Sequence, residues 1–257
     1  MPTLLTQAVI ACLHLSFAVL AFAIARALPP GERVFRYGWT LTAAAFVIRG
    51  INMFSHATFA IVAYRAGPGS PLWNAAMPVH QVMNHSRTFL LTAYCLVLCA
   101  ALVRGQRGKP MPSMPLAIGV VLAGMVAGGL VGVMEDPFSG LTHFTAVAVL
   151  DIMELLALMA LLFVGLTSAG MDRGLWASLG VSAFVLALSV LWYASLSRID
   201  VAGQWAPRPF HIHLSKAVLY LVMLGIAHRQ LARLRGGKRV RAFLESDRRA
   251  AMPSLHG

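Results

Sequence analysis

Three cations and two acids lie inside stretches that are otherwise hydrocarbon-like: Arg49, Arg87 and Lys216 against Asp151 and Glu154. An ionised group at the centre of a bilayer costs at least about 2.5 kcal/mol, so such residues face a protein interior, where they are paired, hydrated or functional. Their polar neighbours recur at helical spacing. Arg49, Asn52 and His56 are three and four residues apart, as are His80, Asn84 and Arg87, with Tyr94 further along the same face. His143, Asp151 and Glu154 form a third stripe and His213, Lys216 and Tyr220 a fourth, while an earlier segment adds Gln7 and His14. Facing one another is the cheapest arrangement for these stripes, and it makes a funnel of ionisable groups opening toward one side of a membrane. One positive charge is then in excess. A bound anionic group, snorkelling, or loss of the lysine proton balances it.

Three chemistries fit these residue types. In the first, neutral histidines from different helices ligate haem b, as His56 with His143 or His80 with His213, or the same groups hold a quinone. Arg49 and Arg87 then neutralise the ligand's anionic groups, with Asn84 and Tyr220 as further contacts. Asp151, Glu154 and Lys216 move protons. In the second, a small-ligand or proton sensor, receptor or transporter, protonation of the histidines or acids shifts helices and the carboxyl-terminal tail reports inward. Gly50 beside Arg49 is its one hint of a broken helix. In the third, His56, His143, His211 and His213 bind a transition metal, with Asp151 or Glu154 as a further ligand or base for hydrolysis or oxidation. His211 and His213 point nearly opposite ways on a regular helix, but Pro207 and Pro209 allow irregular backbone there. The plain alternative to all three is that Arg49 with Glu154, and Lys216 with Asp151, are ion pairs that set helix register.

Two known groups each share one feature with the chain. Membrane metal hydrolases of the ceramidase and adiponectin-receptor type have seven spans, but the HxxxH of their last span is absent here. Microbial rhodopsins carry a lysine in the seventh helix, as Lys216 would be, but Arg87 stands where their acidic counter-ion is expected. Neither likeness assigns a family. No nucleophile elbow, phosphate-binding loop or CxxC motif occurs.

The elements that must position these residues are membrane spans. Of 257 residues, 58% are hydrophobic and 12% charged, more apolar than a water-soluble domain of this size carries. Seven apolar blocks are each long enough to cross roughly 30 Å of hydrocarbon: Thr3 to Ala27, Tyr37 to Tyr64, Val79 to Val103, Met114 to Met134, Leu141 to Leu166, Leu175 to Leu196, and Phe210 to Ala232. Short linkers rich in proline and glycine separate them, so the expectation is an all-α integral membrane fold. It is a seven-transmembrane-helix bundle over 1–232 with a basic tail over 233–257. A cleaved signal peptide ending near Ala25-Arg26-Ala27 is the rival for the first block, and is disfavoured because Met1 to Gln7 carry no positive charge.

Charge sets the expected orientation. Arg26, Arg33, Arg36, Arg104, Arg107, Lys109, Arg173, Arg229 and the tail's seven basic residues make fifteen at one end, against Arg65, Arg198 and Arg208 at the other. Basic loops stay inside. The amino terminus is therefore expected outside and the carboxyl terminus in the cytoplasm of a cell inner membrane. The formal charge of +12 then reflects contact of the tail with anionic lipid, not nucleic acid. Cys12, Cys95 and Cys99 fall within spans and read as small buried hydrophobes. Gly124, Gly128 and Gly132 form a ridge that lets helices approach closely, within the chain as the first expectation and in a homodimer as the second.

Overall fold

The computed structural model describes residues 2–67, 69–134, 141–166, 180, 181, 183, 184, 187 and 210–251. Among them are six helices and no strand: α1 (Pro2–Ala27), α2 (Arg33–Ala66), α3 (Pro71–Gln106), α4 (Met114–Met134), α5 (Leu141–Leu166) and α6 (Phe210–Ala251). Four segments are long and apolar enough to cross a membrane: Leu5–Ala27, Pro71–Gln106, Met114–Met134 and Leu214–Gly237. Large apolar side chains such as Leu5, Val19, Leu96, Val126, Phe163 and Leu221 lie exposed on the outer faces. An apolar exterior of this extent is unfavourable in water and suits contact with a lipid bilayer. The chain is a membrane protein. The sixth expected block, Leu175 to Leu196, lies outside the described residues except for five helical positions.

The helix ends follow local chemistry. The Pro29-Pro30-Gly31 run separates α1 from α2. After α2 the chain turns through Gly67 and Gly69, whose φ angles of 79° and 80° are left-handed and suit glycine. Ser70 then caps α3, its hydroxyl accepting from the Trp73 backbone N–H at 3.1 Å, and Pro71 fits the first helical position. That cap starts α3 eight residues before the expected span, and Pro78 is carried within the helix. At 1.5 Å per residue its 36 residues reach about 54 Å, well beyond the hydrocarbon thickness. The last helix likewise runs straight from its span through the basic residues assigned to the tail, as far as Ala251.

Contacts give the directions. His14 and Phe17 meet Phe46, and Phe17 also meets Trp39, so α1 and α2 are antiparallel. His56 meets His80 while Thr42 meets Tyr94, so α2 and α3 are antiparallel. α4 lies against α3, also antiparallel: Gly124 faces Ala93 and Phe89, Gly128 faces His85, and Gly132 faces Val82. The glycine ridge is therefore filled by α3 of the same chain. This meets the first expectation for Gly124, Gly128 and Gly132, contact within the chain, and leaves the homodimer alternative without support. α6 runs parallel to α1, with Tyr220 beside His14 and Leu231 beside Ala23. These directions bring Arg26, Arg33, Arg36, Arg104 and Arg235 to one end of the bundle. Trp39, Phe17, Phe46, Leu90, Leu91, Leu98 and Leu158 fill its core.

One hydrogen bond joins α2 and α3 deep in that core. The Thr42 hydroxyl donates to the Gly38 carbonyl at 2.7 Å, so Tyr94 is the donor of the 2.7 Å bond between Tyr94 and Thr42. Thr42→Val strands a buried phenol and is expected to lower stability in detergent by about 1–3 kcal/mol, most of it recovered when Tyr94→Phe is added. Denaturant titration of the single and double variants checks this.

Candidate functional site

The polar stripes of α2 and α3 meet along their shared interface. At the end opposite the basic cluster the rings of His56 and His80 stack, centroids 3.9 Å apart and planes 29° from parallel. One turn inward Asn52 Nδ2 donates to Met83 Sδ at 3.5 Å. At the same level Arg87 reaches back toward α2, donating through Nη1 to Met53 Sδ at 3.2 Å and through Nη2 to Asn84 Oδ1 at 2.8 Å. A further turn inward Arg49 Nη2 meets Glu154 Oε1 of α5 at 3.3 Å, both side chains sealed from solvent. From His56 to Arg49 the column runs about 10 Å along α2 at 1.5 Å per residue.

α1 and α6 close a second side. His14 is 1% exposed, edge-on to Phe46 at 5.5 Å and to Tyr220 at 4.5 Å between ring centroids. Neither of its ring nitrogens meets a hydrogen-bond partner among the described residues. Arg49 and Arg87 are both within electrostatic reach of it, which ties the α1/α6 side to the α2/α3 column. Lys216, one turn before Tyr220, is also buried.

The sequence-derived residues divide accordingly. Arg49 and Glu154 are brought together as the pair expected of them, and Arg87 joins Asn84. His56 faces His80, whereas as haem ligands the sequence pairs His56 with His143 and His80 with His213. The side chains of His143, Asp151, His211 and His213 lie outside those described, as does the pairing of Lys216 with Asp151. Among the described residues no three His, Cys, Asp or Glu side chains gather as a metal cluster.

Several contacts were not foreseen. Met53 and Met83 supply sulfur acceptors to Arg87 and Asn52, a role that apolar counting hides. Cys95 lies within electrostatic reach of both Glu154 and Arg49. Gln81 and His85 are also buried, the His85 ring 2.9 Å from the Gln81 backbone carbonyl, along the stretch of α3 backbone that Gly128 and Gly132 approach. Their four-residue spacing was the available signal, since it places two more polar residues on the α3 face that the glycine ridge covers.

The arrangement has donors of fixed position, a flat imidazole stack at its mouth and a buried carboxylate at its base. Its donors suit hydrogen-bond acceptors, and its imidazoles and carboxylate are groups that can exchange protons. The chain matches no family model, no curated protein and no solved structure, so the functional reading rests on this geometry.

Proposed function

We propose that the chain is a seven-helix inner-membrane protein that binds a quinone-class ligand in the column between α2 and α3 and works in membrane electron transfer. The observation that carries the reading is the His56–His80 stack leading through Asn52 and Arg87 to the Arg49–Glu154 pair. A quinone is flat, presents two carbonyl oxygens that accept hydrogen bonds, and takes up two protons with two electrons. Imidazoles, an amide and a guanidinium suit its oxygens, and Glu154 and the histidines suit its protons. Its apolar tail lies in lipid. Haem b is the alternative within this reading. It would use His56 with His143 or His80 with His213 as axial ligands. A proton-linked sensor or transporter is the second reading, favoured by the buried Arg49–Glu154 pair joining α2 to α5.

The topology of the proposal draws support from helix directions. α6 running parallel to α1 is compatible with an even number of crossings between α4 and α6. Two crossings, α5 and the sixth apolar block, satisfy that count. The basic end formed by α1, α2, α3 and α6 supports a cytoplasmic carboxyl terminus.

Absorption spectra of detergent-purified protein, oxidised and dithionite-reduced, with organic extraction of the same sample, test the ligand. The expected result is extractable quinone with no Soret band, and a content about tenfold lower in His56→Ala or His80→Ala. A Soret band assigns haem instead. Absence of both removes electron transfer and leaves the sensor or transporter reading.

A further inference from the structure

At the opposite, basic end of the bundle a groove of about 490 Å³ opens between α1 and α6. Its walls are aliphatic: Val19, Leu20 and Ala23 on one side, Leu231 and Ala232 on the other. Ala23, Ala232 and Gly236 leave the space, since larger side chains at these positions would bring the two helices' surfaces into contact. The volume falls within the range of about 300–1,000 Å³ typical of small-molecule clefts.

Arginines stand at the rim. His228 and Arg235 line the groove, and Arg235 stands two residues before the end of the span Leu214–Gly237, the level at which lipid headgroups begin. Arg26 follows Ala23 by less than one turn at the same end of α1, exposed, its guanidinium 5.4 Å from the Phe22 ring. On α6 itself Arg229 and Arg233 are exposed, and no acidic residue occurs between Phe210 and Glu245. An aliphatic trough that lies in the hydrocarbon layer and ends among guanidiniums is complementary to one kind of molecule, with an apolar chain and an anionic head.

We infer that the α1/α6 groove is a site for an anionic phospholipid, an acyl chain lying between Val19, Ala23, Leu231 and Ala232 and the phosphate against Arg235 and Arg26. The site is independent of the ligand column: it uses other residues at the other end of the bundle. Electrostatics at the membrane surface alone would attract the lipid weakly and release it in salt. The groove adds apolar contact that salt does not screen, so retention at high salt distinguishes a seated lipid from a loosely gathered one.

The test is thermal unfolding of the full chain in dodecyl maltoside at high salt, with added dioleoyl phosphatidylglycerol, dioleoyl phosphatidylcholine or glycerol phosphate. Phosphatidylglycerol is expected to raise the midpoint by about 4 °C, with no effect from the other two. Arg235→Gln, at an exposed position, and Ala232→Leu, which fills the trough, are each expected to abolish the rise while keeping the wild-type midpoint without lipid. An equal rise with phosphatidylcholine, a rise with glycerol phosphate, or an undiminished rise in Arg235→Gln would each overturn the assignment. Should Ala232→Leu fail to fold, Arg235→Gln decides.

Discussion

Glu154→Gln is expected to lower the unfolding free energy in detergent by about 3–5 kcal/mol, the range found when one member of a buried ion pair is removed. The substitution is nearly isosteric, so the loss is electrostatic: Arg49 keeps its charge but no longer faces a carboxylate at 3.3 Å. The same exchange at exposed Glu32 is expected to change stability by less than about 0.5 kcal/mol. The double substitution Arg49→Met with Glu154→Met should recover most of the loss, because removing both charges also removes their desolvation cost. Denaturant titration of the four proteins checks the series. If Glu154→Gln and Glu32→Gln were equivalent, the pair would not join α2 to α5.

The second large effect belongs to the α3/α4 contact. A Cβ at Gly128 would stand 2.5 Å from the His85 carbonyl oxygen and 2.9 Å from its carbon, and backbone atoms cannot swing away. Gly128→Ala is expected to destabilise by about 1–3 kcal/mol and Gly128→Leu to prevent α4 from docking. Gly119 on the same helix has nothing within 4 Å of an added Cβ. Gly119→Ala is therefore expected to stabilise, by about 0.5–1 kcal/mol through the loss of backbone freedom in the unfolded chain. Opposite signs at two glycines nine residues apart would show that α4 presents one face to α3 and the other outward.

How much of this was legible in the sequence depends on the kind of information each feature carries. Hydrophobic length marked α1, α4 and the apolar part of α6, because a bilayer-spanning run is a property of the segment itself. The start of α3 lies outside the expected span because Ser70 and Pro71 act through a local cap, which outweighs the polarity of the residues that follow. Spacing placed Arg49, Asn52 and His56 on one face, as observed, but a face does not name its partner. His56 meets His80 because antiparallel packing of α2 and α3 fixes their register, a long-range fact absent from either stripe alone. The glycine ridge reads first as a contact within the chain and second as one between chains, and the position of α3 favours the first. Composition alone hides Met53 and Met83, and reads Cys95 only as a small buried hydrophobe, because sulfur side chains count as apolar while still accepting hydrogen bonds or lying beside charge.

The proposed function requires that α2, α3 and α5 hold their polar groups in a single buried column that receives a quinone-class ligand. Titration of the purified chain with a short-tailed quinone, followed by quenching of its tryptophan fluorescence, addresses it directly. The account predicts saturable binding that weakens about tenfold or more in both Asn52→Leu and Arg87→Gln, although these residues lie on different helices. Linear, unsaturable quenching that is identical in all three proteins, as for partition into the detergent, would contradict it.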